Sequence, residues 1–416
     1  MNTAFFTNNR KRFIEHIEDN SICVFLSGIP PRRAGDQFFP FEIDRNFFYL
    51  TGLDFPDLIL FITKKKEKTE CMLFLPPINE RMERANGPSL RQDKAMELSE
   101  ITDVCYESSE LKLFSYIGSS GGLDYTNVYF DCAPYPNWER PQLNSVISAV
   151  MNRCPFALIK NAGTVINSLR FIKQPEEIDV LRKAIILTNE GLINAVKKLK
   201  SGKSECEIEM DFEEPVRKQN TGFGFSSIVA AGINATTLHY KPGLKECHDS
   251  ELVLIDAGAH CNYYTADITR TYPVSGKYNE RQRMIYEIVL NCQLDSISNM
   301  KPGVSFESIS EKAREFIKIE LRKAGLTKND DDLKKYHFHG GGHPLGLFAH
   351  DVHADGEEGK YLAEGVVTTI EPGIYNREWG IGVRIEDDIL ITKDGCEILS
   401  KDIIKTMDSI EKFMAG

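Results

Sequence analysis

The sequence predicts an α+β protein in two parts: a smaller α/β domain over residues 1–165 and an α+β domain over residues 166–416. Three observations lead to that division. The chain has 416 residues, too many for one ordinary compact domain. Its first part strings short apolar runs between loops and helices. Its second part opens on a long helical pattern and then carries two pairs of strand patterns separated by further helices.

In chain order, the runs SICVFLSG, NFFYLTGL, LILFIT and CMLFLPP read as strands of the first domain, and KKKEK (Lys64–Lys68) as a solvated turn between two of them. From Leu169 the stretch LRFIKQPEEIDVLRKAIILTNEGLINAVKKLKSG reads as one long helix. Ile178, Leu181, Ile185, Leu192, Val196 and Leu199 recur at helical spacing. Pro175 suits a first turn, Glu176 and Glu177 favour an N-terminal dipole, and Gly202 makes a stop. The same logic predicts helices over about 279–299 and 305–324, with KPG at 301–303 between them. ELVLIDAG and YYTADITRTYPV flank a short AHCN turn, and VVTTIEPGIY and GVRIEDDILIT flank NREW, so each pair predicts a β-hairpin. No fixed-period repeat of the solenoid type is visible.

Composition narrows the function class. Hydrophobic content of 42% and charged content of 27% are those of a soluble globular protein with ample core. A formal net charge of -11 excludes a nucleic-acid partner, because phosphate neutralisation needs a basic footprint. The ten cysteines stand singly with no C-x-x-C pair, which excludes a structural zinc site and a disulfide framework and suits a reducing cytosol. The start MNTAFFTNNRKRF lacks the apolar run of a signal peptide, and no apolar run approaches the roughly 20 residues that span a bilayer. The expectation is a cytoplasmic protein with no membrane partner.

Each predicted hairpin ends an apolar strand on an acid and returns with another. Asp256 ends LVLI and Glu371 ends VVTTI, while Asp267 and Glu386 lie on the returning strands. Most of the 61 acidic residues are simply solvated; these four differ because their apolar flanks predict burial. A buried carboxylate is costly unless paired, and four together repel and raise one another's pKa. A pair of divalent cations relieves both. An oxygen-rich set with one imidazole suits manganese better than a thiolate-preferring metal. Carboxylates also supply the bridges that metals roughly 3.5–4 Å apart require.

Five of the nine histidines fall between His337 and His353, around a glycine triplet. His343 is the candidate imidazole ligand, since Gly342 beside it lets the backbone turn tightly and approach a site closely. His339 and His350 flank it, and His337 and His353 read as bystanders. HGGG at 339–342 and GSSGG at 118–122 match the letters of a serine hydrolase. In those enzymes the oxyanion loop precedes the nucleophile, whereas here it follows by more than two hundred residues, so GSSGG reads as a flexible turn. GGGH also lacks the lysine of a phosphate-cradling loop.

These residues carry a family likeness. LIDAG, ADITRTYPVSGKYNERQRMIYEIVL, HFHGGGHPLGLFAHD, TTIEPGIY and GVRIEDDILIT resemble, in order, the metal-binding motifs of the pita-bread metallopeptidases, which include methionine aminopeptidase, prolidase and aminopeptidase P. FPFEIDRNFFYLTGLDFPD (39–57) and FLPPINERMERANGP (74–88) resemble the N-terminal domain shared by aminopeptidase P and prolidase, and LRFIKQPEEIDVLRKA their interdomain junction. The resemblance implies a pita-bread catalytic domain with two divalent metal ions, manganese first, cobalt or zinc as alternatives. It implies Asp267 and Glu386 as bridging ligands, Asp256 completing one metal, and His343 with Glu371 completing the other. All five are present, unlike in a metal-free relative such as creatinase. The resemblance implies His239, His339, His350, Tyr375 and Arg384 as the substrate-binding set, with Arg384 also behind the metal ligands.

The implied reaction is attack by a metal-bridging hydroxide on the scissile carbonyl, with Glu371 shuttling the proton and His239 and His350 stabilising the oxyanion or orienting the peptide. The implied partner is a peptide, and the implied assembly a homodimer or homotetramer. Within the family, prolidase needs a cation to capture a dipeptide's carboxylate. The loop after His350, DVHADGEEGKYL, offers acids and one lysine but no arginine, and the Glu371–Glu386 connection is short. Both favour an Xaa-Pro aminopeptidase over an Xaa-Pro dipeptidase. A non-catalytic peptide-binding protein on this fold is the third reading. One departure stands at Ala85, where the resemblance implies an aromatic; if a neighbouring subunit lends that aromatic to the site, the leaving-side pocket differs here.

Overall fold

The structure, a computed structural model, describes residues 1–106, 113–115, 117–119, 122–132 and 141–416, so Ser120 and Gly121 of the GSSGG stretch lie outside the described residues. Two compact units divide the chain, Met1–Leu169 and Arg170–Gly416. Among the described residues no helix is long and apolar enough to cross a membrane.

In the first unit, β1 (Ser21–Leu26), β2 (Ile59–Lys65), β3 (Lys68–Phe74), β4 (Asp103–Cys105), β5 (Asn127–Phe130) and β6 (Leu158–Asn161) form one sheet in the order β6-β5-β1-β2-β3-β4. The β1–β2 and β2–β3 pairs are antiparallel and the other three parallel. Its central strands are continuous apolar runs because both faces are covered; Ile22, Val24, Phe61, Phe74, Val128 and Phe130 share one core cluster. The KKKEK turn holds Lys66 at φ +57° between β2 and β3. NFFYLTGL, expected as a strand, is instead helix α1 (Arg45–Thr51). Local capping overrides its β-prone aromatics. Asp44 accepts from the N–H groups of Asn46 and Phe47, both at 3.0 Å, and Gly52 closes the helix at φ +70°.

The stretch read as one long helix is two. Helix α2 (Gly163–Phe171) stops before α3 (Pro175–Lys198), whose first residue is Pro175. The residue before a proline is driven out of the helical region, and Gln174 is extended at φ -78°, ψ 161°. The Gln174 N–H then donates to Glu177 Oε2 at 2.9 Å. Helix α4 (Glu205–Lys218) was not anticipated, because Pro215 sits inside it. Pro215 leaves the Asp211 carbonyl without its helical donor, and Asn194 Nδ2 of α3 supplies one at 2.5 Å. Helices α5 (Glu280–Ser298) and α6 (Phe306–Lys323) lie where the spacing predicts them.

Strands β7 (Ile228–Ala231), β8 (Leu252–Ala257) and β9 (Ile268–Pro273) form an antiparallel sheet in that order. After them come β10 (Val367–Ile370), β11 (Gly373–Asn376), β12 (Ile381–Arg384), β13 (Asp387–Ile391) and β14 (Cys396–Ile398). The second predicted hairpin is not one ladder. β10 pairs with β13, β11 pairs with β12, and the break falls at Glu371–Pro372 on one side and Ile385–Glu386 on the other. Pro372 has no N–H to continue the ladder. The first hairpin breaks too, at Gly258–Ala259 and Ala266–Asp267, beyond which His260–Cys261 pairs with Tyr264–Thr265. Asp267, Glu371 and Glu386 therefore sit at strand breaks, where a side chain is re-aimed, while Asp256 stays in the ladder opposite Thr269.

Candidate metal centre

The breaks turn the acids towards one point. Asp267, His343 and Glu386 offer ligand atoms that all lie within 4.8 Å of one another. His343 Nε2 is 3.6 Å from Asp267 Oδ2 and 3.8 Å from Glu371 Oε1. Asp256 Oδ2 accepts from Arg384 Nη2 at 2.5 Å, and its buried Oδ1 has no hydrogen-bond partner among the described residues. Asp256, Asp267, His343, Glu371 and Glu386 all line one cavity of about 820 Å³.

The histidine loop reaches these acids because Gly342 has no side chain. A Cβ there, at φ +158°, would run into the Thr369 carbonyl. The His343 carbonyl accepts from Thr369 N and Thr368 Oγ1, both at 2.9 Å. His343 Nδ1 donates to the Pro344 carbonyl at 3.2 Å, which leaves the Nε2 lone pair facing the carboxylates.

Burial lifts Asp267 and Glu386 well above the usual carboxylate range, and the neighbouring acids raise them further. Burial also brings Glu371 up to about 7 against the pull of Arg384. His343 is pushed down to about 4 by burial and by His350, so it is a neutral imidazole at pH 7. Oxygen donors in excess of their cations, an orphaned oxygen on Asp256 and an imidazole with its lone pair turned inward together fit a divalent-cation site.

His239, His339 and His350 line the same cavity. The His350 ring stacks on His343, with centroids 4.0 Å apart. His339 donates from Nδ1 to the Gly340 carbonyl at 2.9 Å, and its Nε2 accepts from the Tyr375 hydroxyl at 2.9 Å. Burial, helped by Arg384, pushes His339 down to about 3. Tyr375, expected to meet substrate, lies behind the cavity wall at 1% exposure. Its hydroxyl also accepts from Arg384 Nη1 at 3.0 Å, so it touches the site through His339 and Arg384. Arg384 is on the wall but engaged. Its Nε donates to Thr269 Oγ1 at 3.1 Å, and that hydroxyl donates to Glu386 Oε2 at 2.6 Å. His337 and His353 bind the carbonyls of Gly373 and Gly359, at 3.0 and 2.8 Å, away from the cavity lining.

Three residues escaped the sequence reading. Asp388 is buried, with Oδ2 accepting from Asp267 N at 3.3 Å and Oδ1 without a partner among the described residues. Glu209 and Lys241 line the cavity. Lys360, the lysine of the loop after His350, instead pairs with Glu357 at 2.6 Å on the surface. Lys241 faces the cavity beside Arg384; it lies two residues after His239, and that proximity was the available signal.

Two family models match the chain: Metallopeptidase family M24 over residues 179–393, and the aminopeptidase P N-terminal domain over residues 6–118. The Xaa-Pro aminopeptidase of Haemophilus influenzae is 32% identical over 98% of this chain and 96% of its own. A Bacillus anthracis structure provisionally described as an aminopeptidase P is 37% identical, with a TM-score of 0.94 over 100% of this chain and 99% of that one. Zinc-substituted Escherichia coli aminopeptidase P, solved with product, is 28% identical, with a TM-score of 0.91 over 100% of this chain and 98% of that one.

Proposed function

The chain belongs to metallopeptidase family M24 and is a metallo-aminopeptidase with the pita-bread fold and an aminopeptidase P-type N-terminal domain; from that premise we propose that it releases the N-terminal residue from peptides with proline in second position. One observation supports this most. The five ligand-type residues and three histidines meet on one cavity, so the carboxylates and the substrate-side groups face the same space.

In this reading Asp256, Asp267, His343, Glu371 and Glu386 would hold two divalent ions, Asp267 and Glu386 being shared, Asp256 serving one and His343 with Glu371 the other. Manganese is the proposed metal, ahead of cobalt and zinc. When bound, the ions supply an activated water at neutral pH and a Lewis acid for the scissile carbonyl. Glu371 would take a proton from the attacking water and return it to the leaving amine. His239 and His350 donate N–H groups towards the carbonyl oxygen and orient the peptide. Asp256 faces the substrate's α-amine, and Arg384 holds both Asp256 and, through Thr269, Glu386 in place. Phe225 and Leu238 on the wall offer apolar surface to a proline ring. An Xaa-Pro bond has no N–H, so the site need not accept one.

Arg-Pro-Pro-type tripeptides with Mn²⁺ test the proposal; cleavage at the first bond is expected. Lys241 on the cavity favours a second reading as an Xaa-Pro dipeptidase, because an ammonium there can pair with a dipeptide's carboxylate. Hydrolysis of Xaa-Pro dipeptides with inert tripeptides would establish that reading. No turnover of either would favour a non-catalytic peptide binder. The proposal includes a homodimer or homotetramer, to be measured by light scattering, and a cytoplasmic location, which ten cysteines with no C-x-x-C spacing support.

A further inference from the structure

Glu205 is a fully buried carboxylate that the steps above do not use. It is the first residue of α4, and four groups from one stretch of chain donate to it. Ala231 N and Asn234 Nδ2 reach Oε1 at 2.8 and 2.9 Å; Tyr240 OH and Gly243 N reach Oε2 at 2.8 and 3.2 Å. Asn234 Nδ2 also donates to the Tyr240 hydroxyl at 2.8 Å. The N–H groups of Glu205 and Cys206 in turn donate to the carbonyls of Lys245 and Gly243, both at 3.1 Å. The stretch so gripped leaves β7, makes a 3-10 turn over Gly232–Thr236, and then carries Leu238, His239, Tyr240 and Lys241 onto the cavity wall.

We infer that Glu205 is a positioning residue of the substrate site. It ties both ends of the 231–243 strap so that His239 meets the bound peptide in one orientation. The inference rests on the assignment of His239 to the substrate. A carboxylate is the side chain that suits this place, because it offers acceptors only and all four partners are donors. A glutamine turns its NH₂ towards donors on one side, and an alanine leaves the buried Ala231 N–H and the half-buried Gly243 N–H without this acceptor. The strap carries none of the five metal-ligand residues, so loosening it changes how substrate is held and leaves the metals in place.

The test is steady-state kinetics on the Mn²⁺-loaded enzyme with an Xaa-Pro-Yaa tripeptide, for Glu205→Gln, His239→Ala and the double variant. Glu205→Gln is expected to lower kcat/KM about 10–100-fold in the parent, the usual range for a misplaced contact. In the His239→Ala background the same change is expected to matter less than about threefold, because non-additivity marks residues acting as a unit. Manganese content is expected to stay unchanged. Equal losses in both backgrounds, or no loss in the parent, would overturn the inference. A fully active His239→Ala enzyme would overturn the assignment of His239 itself, which separates the two failures. Should Glu205→Gln fold poorly, Tyr240→Phe removes one donor, and a roughly fivefold loss that vanishes without His239 is expected; a loss independent of His239 would again refute it.

Discussion

Glu386 and Asp387 are neighbours in the chain, at 2% and 0% exposure, and their electrostatics run in opposite directions. Burial lifts Glu386 well above the usual carboxylate range, and Asp267 and Glu371 lift it further. Burial would raise Asp387 as well, but Arg270 and Lys405 outweigh it and hold that carboxyl at about 2. Arg270 Nη2 lies 2.6 Å from Asp387 Oδ1, Lys405 Nζ lies 2.5 Å from Oδ2, and Ser400 Oγ donates at 2.6 Å. The chain supplies Asp387 with its own cations. Glu386 turns the other way, into a cavity where four carboxylates share Arg384. A buried acid matched from within is architecture; a buried cluster short of cations is where an external cation binds.

Substitutions on the two sides of this boundary should separate activity from stability. The largest effect is expected from Glu386→Ala, which removes a proposed bridging ligand. Peptidase activity should fall by about 10³-fold or more with loss of bound Mn²⁺, since weaker outer-shell changes already remove 10–100-fold. The metal-free protein should stay folded, because one of four repelling acids is gone. Full activity in this variant would sink the site assignment. Next comes Asp387→Ala, which strands Arg270 in the core. Chemical denaturation should show a loss of about 3–5 kcal/mol. A variant as stable as the parent would show that the Arg270–Asp387–Lys405 group is not structural.

The pH dependence of the metal-stripped protein should carry both signs. Glu371 holds its proton up to about 7 when folded, against an ordinary value of 4.5. Between those values Glu371 binds more protons folded than unfolded, and Asp267 and Glu386 extend that excess to higher pH, so these acids make stability fall as pH rises; His339 and His343, lowered by burial, act in the opposite sense below about 6.5. Asp387 acts in the opposite sense: its contribution is present above 3.8 and is lost as pH falls towards 2. Thermal melts should show the decline from about pH 6.5 to 8, where the histidines no longer titrate in either state, and saturating Mn²⁺ should abolish it. A stripped protein that gains stability across that interval would contradict the electrostatics described here. The smallest effect is expected from Lys241→Ala. KM for substrates with a free C-terminal carboxylate should rise by up to about fivefold, in line with an exposed ion pair. C-terminally amidated substrates should be unaffected; equal changes in both would remove Lys241 from carboxylate recognition.

The gathering of the acids was legible because acids closing apolar strands are a local pattern, as is His343 between Gly342 and Pro344. Helices α5 and α6 were legible from spacing and from KPG between them. Other features turned on rules that compete with periodicity. Capping by Asp44 made a helix of NFFYLTGL, and Pro215 masked α4 although Ile208, Phe212 and Val216 are buried on one of its faces. The hairpin breaks followed from Pro372 and Gly258, single residues within otherwise continuous strand patterns. The Arg270–Asp387 pair spans 117 positions, and no local reading of the sequence couples residues that far apart.

The proposed site is a protonated, cation-deficient carboxylate cluster that takes up two divalent ions. Calorimetric titration of the metal-stripped chain with Mn²⁺, run in buffers of different ionisation enthalpy, decides it. Metal ligands must deprotonate to bind. Saturation at close to two ions per chain is therefore expected, with protons released in increasing number as pH is lowered from 8 towards 6. Binding without proton release, or no binding at all, would contradict the account.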